Sequence, residues 1–237
     1  MGALEDHLQG QTEGWRSFFW HRVRWRAVSH YLPRSPSFTL LDIGAGAGIL
    51  GSYLHRERPG ARYRFIEPLA TLEARLEETY GPDANARALK RFDGVHVVTL
   101  LDVLEHQEED RAFLADLVER MGPGARLLMT VPALESLWSS WDVALGHHRR
   151  YDRASLGGCL RGLPARVLEV SYLFPELLPA AWLRTLMRRQ AKGVSEAAFP
   201  ALPPALNELL YLVGAGSVRL RRWWPGGTSL FAALERS

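Results

Sequence analysis

Leu41-Asp-Ile-Gly-Ala-Gly-Ala-Gly48 is the stretch on which the reading of this chain turns. Apolar residues lead into an acid, and three alternating glycines follow at once. That pattern describes a buried strand ending in a turn where the backbone passes very close to a ligand. Glycine suits such a turn because, lacking a Cβ, it reaches φ > 0 at little cost. The next helix would present free N–H groups and the positive end of its dipole to whatever sits above the turn. A nucleotide-like cofactor is expected there.

Outward from the turn, strand patterns alternate with helical ones. Strands are predicted over 38–43, 61–66, 95–100, 125–131, 166–172 and 228–235, and helices over 48–58, 71–80, 108–121 and 155–160. A weak strand candidate lies at 83–91. Before the core, 13–32 reads as an amphipathic helix carrying Trp15, Phe18, Phe19, Trp25 and Tyr31, interleaved with Arg16, Arg22, Arg24 and Arg26. Pro33 and Pro36 end it. Residues 174–226 read as helical and punctuated by proline. The alternation implies parallel βαβ units in one doubly wound α/β sheet. The expected organisation is a single domain over 1–237, with its core at 38–172.

At 237 residues the chain can bury a sizeable core, and 47% apolar with 23% charged residues is ordinary for a globular protein. The lone Cys159 excludes an internal disulfide, fits a reducing compartment and reads as a small core residue. Residues 1–14 lack the basic-then-apolar order of a secretory leader. No run of about 18 residues is free of charge, so no spanning helix is expected. The most apolar stretch, 170–187, is interrupted by Glu176 and Arg184. A net charge of +3 gives no reason to expect nucleic acid as a partner. A cytoplasmic location is expected, with the inner membrane surface as an alternative site of work.

Two cofactors compete for the glycine turn. Gly46, Gly48 and Gly51 satisfy G-x-G-x-x-G with Glu67 roughly 20 residues on, as a dinucleotide fold requires. Alternatively Asp42, Gly44, Gly46 and Gly48 frame a ligand whose ribose is held by Glu67. Asp42 discriminates between them: a carboxylate repels a pyrophosphate but welcomes a sulfonium and an ammonium. S-adenosylmethionine carries both cations and no phosphate.

With these residues in place, the chain resembles the class I S-adenosylmethionine-dependent methyltransferases. Leu41–Gly48 is similar to their first motif and Ile66-Glu67-Pro68 to the acidic end of their second strand. Phe92-Asp-Gly-Val95, running to Leu101-Asp-Val-Leu-Glu-His106, is similar to their fourth strand and the turn after it, and Pro123-Gly124 to the entry of the fifth. Asp142 followed by Gly146-His-His-Arg-Arg-Tyr151 resembles a bacterial subgroup with a G-H-x-R-R-Y stretch, many of whose members are encoded beside sugar- or lipid-modifying enzymes. The helix around Trp20 and Arg24 is similar to the one that precedes the core in that subgroup.

The resemblance implies a Rossmann-like, mostly parallel seven-stranded sheet whose last strand is antiparallel, preceded by a helix and interrupted by a helical insertion. It implies methyl transfer from S-adenosyl-L-methionine, releasing S-adenosyl-L-homocysteine, to a small-molecule, sugar- or lipid-linked acceptor, with oxygen as the expected acceptor atom. Cofactor contacts are expected from Asp42, Gly44, Gly46, Gly48, Glu67, Leu101 and Asp102, with Asp83 as the candidate for the adenine amine. The first motif has Ala45 and Ala47 where a cysteine or threonine is often found.

His106, His147, Arg150 and Tyr151 are the candidate catalytic residues. Imidazoles near neutrality can take a proton from an acceptor hydroxyl, and arginines can hold an acidic group. Asp102 and Glu105 can be read as paired carboxylates or as a capping box, and the cap is preferred. No metal-ligand set is read from the spacing. For 174–226 three readings stand: a lid over the acceptor, a face for peripheral membrane contact, or a docked structural cap.

Overall fold

The computed structural model describes residues 17–189 and 202–237. Its strands are β1 (Thr39–Ile43), β2 (Arg62–Ile66), β3 (Val97–Leu101), β4 (Arg126–Pro132), β5 (Ala165–Leu173) and β6 (Ser229–Arg236). They form one sheet in the order β2-β1-β3-β4-β6-β5. β2, β1, β3 and β4 run parallel, whereas β6 is antiparallel to both of its neighbours, β4 and β5. The inner parallel strands are near-continuous apolar runs because both of their faces are covered.

The sheet therefore has six strands among the described residues, where seven were expected. The missing one is 83–91, reduced to a single parallel bridge between Phe65 and Asn85, with Ala86 N donating to Phe65 O at 2.8 Å. The segment opens with a 3-10 turn at Pro82–Ala84. Its next residue, Asn85, spends its side-chain amide on Glu73 and Glu77, at 2.8 Å each. With few apolar side chains to bury, nothing extends the bridge into a ladder.

Eight helices clothe the sheet among the described residues: α1 (Phe19–Ser29), α2 (Ile49–Glu57), α3 (Ala70–Tyr80), α4 (Asp110–Arg120), α5 (Ser140–Ala144), α6 (Arg153–Leu160), α7 (Leu178–Arg189) and α8 (Pro204–Arg219). Two apolar layers result. One packs Val23, Trp25 and Val28 of α1 and Leu54 of α2 against Leu40, Leu128 and Phe231. The other packs Leu114 and Val118 of α4 and Leu156 of α6 against Leu41, Val98, Leu127 and Leu234. This is the doubly wound arrangement the sequence implied. Trp15 of the expected 13–32 helix lies outside the described residues; Trp20 stacks on Phe174 with ring centroids 3.9 Å apart.

The helical insertion is anchored to the core. Buried Glu169 of β5 accepts from Tyr31 Oη at 2.5 Å, Arg221 Nε lies 2.6 Å from its Oε1, and Arg222 Nε donates at 2.9 Å. The N-terminal end of α8 meets α1, where Phe19 N donates to Asn207 Oδ1 at 2.9 Å. Both α1 and the described parts of the insertion are thus fixed over the carboxyl ends of the strands, where open α/β sheets bind their ligands.

Candidate active site

A cavity of about 720 Å³ opens above the carboxyl ends of β1, β2, β3 and β4. The glycine turn and Glu67 form one end of its lining. The other end is built from Glu105, His106, His147 and Arg150, and α1 and α7 contribute Arg24 and Arg184 to the walls.

At the first end, Gly44, Gly46 and Gly48 have φ of 69°, 56° and 71°. A Cβ at Gly44 would sit 2.5 Å from Val103 Cγ2, so both the conformation and the space demand glycine. Gly46 N donates to Glu67 Oε2 at 2.8 Å and Leu69 N to Glu67 Oε1 at 3.0 Å. Glu67 therefore shapes the turn, and each of its oxygens keeps a further lone pair for a ligand. Burial raises its pKa, against the two backbone bonds.

Asp42 accepts from Tyr63 Oη at 2.9 Å and from Thr99 Oγ1 at 2.7 Å. Burial nevertheless pushes its pKa up to about 6. Thr99 stands directly opposite Asp42 in the β1/β3 register. Sequence reading missed this partner; the single threonine in the apolar run Val97-Val-Thr-Leu-Leu101 is the signal that could have marked it.

The end of β3 differs from expectation. Asp102 has φ 58°, accepts from Thr130 Oγ1 at 2.8 Å and pairs with Arg24 Nη1 at 3.0 Å. No capping box forms with Glu105: the turn Leu104–His106 is 3-10, its N-cap is Val103, and no side chain caps it. The left-handed backbone at Asp102 turns its carboxylate toward β4 and α1, and the long helix does not begin until Asp110.

Asp142 organises the second end. It is fully buried and accepts from Arg150 twice, from Nε to Oδ1 at 2.8 Å and from Nη2 to Oδ2 at 3.1 Å. His147 Nδ1 lies 2.9 Å from the same Oδ1. Burial opposes ionisation of Asp142, but the His147 and Arg150 bonds outweigh it and hold the pKa below the ordinary range. With Nδ1 turned to Asp142, His147 directs Nε2 toward Glu105 Oε1, 4.0 Å away. The His106 ring packs edge-on against His147 at 4.8 Å. Burial, then the neighbouring His147, lowers the His106 pKa to about 4, leaving it neutral and weakly basic near neutral pH.

The cavity lining thus brings together Asp42, Gly44, Gly46, Glu67, Leu101, Asp102, His106, His147 and Arg150 of the expected site. Three expected residues are placed elsewhere. Asp83 is exposed on its 3-10 turn and is absent from the lining. Gly48 turns toward α3, where a Cβ would meet Leu76 Cδ2 at 2.6 Å. Tyr151 is 1% exposed and donates to Asp110 Oδ2 at 2.8 Å, a structural bond beneath the loop. Cys159 lies beside the same carboxylate, and burial first, then Asp110, raises its thiol pKa to about 11, in keeping with a core role. Glu105 was underrated because its sequence neighbours suggested a cap; its burial is a tertiary property.

A family model described as a methyltransferase domain matches residues 19–170. The chain belongs to this methyltransferase family. The match covers α1 and most of the sheet. The mitochondrial ubiquinone biosynthesis O-methyltransferase of Schizosaccharomyces pombe is 31% identical over 121 residues, 46% of this chain and 43% of that protein. The methyltransferase-family chain thus spans under half the length of that curated relative. Among solved structures, Haemonchus contortus phosphoethanolamine N-methyltransferase 2 in complex with S-adenosyl-L-methionine is 14% identical, with TM-score 0.60 over 98% of this chain and 60% of its own. A protein in complex with the Haloferax volcanii Trm112 methyltransferase activator is also 14% identical. Its TM-score is 0.62, over 98% of this chain and 97% of its own. At this identity the two structures establish a shared Rossmann-like fold.

Proposed function

We propose that the chain is an S-adenosylmethionine-dependent methyltransferase acting at oxygen on a small-molecule, sugar- or lipid-linked acceptor. The observation that carries this reading is one cavity with two chemically different ends. A glycine turn with buried acids lies at one end, and a histidine–arginine–carboxylate cluster lies at the other.

The first end fits the cofactor on three counts. Gly44 and Gly46 bring bare backbone to the cavity lining, Asp42 and Glu67 supply negative charge and acceptors, and Arg24 lines the cavity with a buried Nε that has no hydrogen-bond partner among the described residues. In this reading Asp42 faces the ammonium group, Arg24 the carboxylate, and Glu67 the ribose hydroxyls. The bound cofactor supplies a methyl group already activated by its sulfonium.

What remains for the protein is to orient the acceptor and manage its proton, and in-line positioning alone can lower the barrier substantially. His147, its Nδ1 fixed by Asp142, and Glu105 offer proton-accepting atoms at the acceptor end, while Arg150 holds Asp142 in place and Arg184 lines the wall. Ala180, Ala181, Arg184 and Thr185 bring α7 over that end, which supports the lid reading of the insertion. The oxygen acceptor draws support from the name of the fission-yeast relative. Peripheral membrane contact draws support from exposed Trp182, Leu183, Leu209, Leu212 and Trp223. No helix among the described residues is long and apolar enough to cross a membrane.

Calorimetry with S-adenosylmethionine and with NAD tests the cofactor: binding of the first alone is expected, and binding of NAD alone overturns the reading. Labelled-methyl transfer into a cell extract, resolved by mass spectrometry, then identifies the acceptor.

A further inference from the structure

Glu105 has unsatisfied carboxylate oxygens that methyl transfer alone does not explain. It is fully buried, and neither of its carboxylate oxygens has a hydrogen-bond partner in another described residue. An isolated buried carboxylate is costly unless a cation or a set of donors compensates it. The nearby guanidinium groups are already paired: Arg24 with Asp102 at 3.0 Å and Arg150 with Asp142 at 2.8 Å. Burial holds the Glu105 carboxyl well above the usual carboxylate range, and neither of these guanidinium groups hydrogen-bonds it.

The side chains facing Glu105 have the chemistry to hold a cation beside it. One ligand atom each from Glu105, His106 and His147 lie within 4.8 Å of one another. His147 has its second nitrogen engaged: Nδ1 is on the Asp142 carboxylate at 2.9 Å. Ligating histidines are usually oriented in this way, with the outer carboxylate or carbonyl fixing the tautomer and raising the basicity of the inner nitrogen. Asp142 is in turn locked by Arg150 and by Ser139 N at 2.9 Å, so the support is rigid.

We propose that Glu105, His106 and His147 form a binding site for one divalent first-row transition-metal ion, at the acceptor end of the cavity. Two imidazoles and one carboxylate favour zinc-like ions over magnesium, which prefers an all-oxygen shell. Three protein ligands leave positions open to the cavity, and an oxygen of the acceptor would take one of them, which selects hydroxyl-bearing acceptors. Ligands on one ion stand about 3.5 Å apart, so binding draws the three side chains together by roughly 1 Å. The acceptor part of this inference rests on the methyltransferase reading; the ion site itself does not.

The test uses the whole chain, stripped with a chelator and titrated with Co²⁺ while its visible absorption is followed, then with Zn²⁺ in competition. One Co²⁺ per chain with intense ligand-field bands is expected, displaced by Zn²⁺ but not by Mg²⁺. Glu105→Gln and His147→Gln should each weaken the site at least tenfold and alter the bands. Asp142→Asn, which touches no metal, should weaken it about 10- to 100-fold. If Glu105→Gln fails to fold, as judged by circular dichroism, His106→Gln gives the same reading. Absence of the bands, or bands and affinity unchanged in the variants, overturns the site. Calorimetry with S-adenosylmethionine on the same samples separates the two proposals. Cofactor binding without the ion sinks this one alone, and the ion without cofactor binding sinks the other.

Discussion

Asp142 and Arg150 form a two-point ion pair in which the carboxylate is wholly buried and the guanidinium nearly so, at 13% exposure of its side chain. The same carboxylate holds His147 Nδ1 and caps α5 through Ser139 N. One side chain therefore supports a helix start, an arginine and a histidine tautomer. Removing one partner of a buried pair leaves an uncompensated charge and typically costs about 3–5 kcal/mol. Asp142→Ala should lose that much in urea denaturation, and Asp142→Asn less, since it keeps the cap geometry. Both should lower kcat for methyl transfer; wild-type stability in Asp142→Ala would contradict the pairing.

Glu67 accepts from the backbone of both Gly46 and Leu69, so its loss loosens the turn as well as removing an acceptor for the ribose. Bonds to a charged acceptor are worth about 1.5–3 kcal/mol each. Glu67→Ala should weaken S-adenosylmethionine binding roughly 10- to 100-fold. Calorimetry measures this directly. Affinity unchanged within twofold would remove Glu67 from the cofactor site.

Asp42 makes a prediction about pH. Its carboxyl titrates at about 6 in the folded chain against an ordinary 3.8, so the folded state holds its proton more tightly than the unfolded state does. The stability this contributes is fully present below pH 3.8 and is lost as pH rises through about 6, a difference of roughly 3 kcal/mol. Asp42→Asn keeps the shape without the buried charge. Its stability relative to wild type should rise across pH 4–6 in urea titrations, while cofactor binding falls. A pH-independent difference between the two proteins would show that Asp42 titrates normally.

How far these residues could be read from sequence depends on the range of the interactions that place them. The glycine turn, Asp42 and Glu67 were legible because strand, turn and acid sit within one βα unit and its neighbour, where pattern and backbone geometry coincide. The strand at 83–91 failed because its pairing depended on where Asn85 sent its amide. Glu105 and Asp142 could be noticed, but their roles could not, since the first is defined by carboxylate oxygens without a hydrogen-bond partner among the described residues and the second by two partners on a later loop. Tyr151 was drawn into the site by its neighbours in the G-H-x-R-R-Y stretch. A loop alternates its side chains between cavity and core, and Arg150 took the cavity side.

Gly44 tests the steric part of the cradle. At φ 69° any side chain is strained, by about 1–2 kcal/mol, and an alanine Cβ would also meet Val103 Cγ2 at 2.5 Å. Gly44→Ala should therefore be destabilised by more than the backbone term alone. Adding Val103→Ala should recover part of that loss, because it removes the clashing methyl and leaves only the strain. Denaturation of the two single variants and the double variant measures the coupling. Strict additivity would mean that Val103 does not constrain the turn.

The placement of Tyr151 gives the sharpest contrast with a catalytic role. Its hydroxyl is buried against Asp110, and burial first, then that carboxylate, raises its pKa far above the ordinary range for a tyrosine, so it neither ionises nor reaches the cavity. Tyr151→Phe removes the donor from a carboxylate that still keeps Arg149 Nη1 at 3.0 Å. The expected loss of stability is about 1–3 kcal/mol, the range for leaving one buried partner short of a bond. At a temperature where both proteins are folded, kcat and the KM for S-adenosylmethionine should match wild type within about twofold, because the cavity lining is untouched. A hundredfold fall in kcat with stability intact would return Tyr151 to the chemistry.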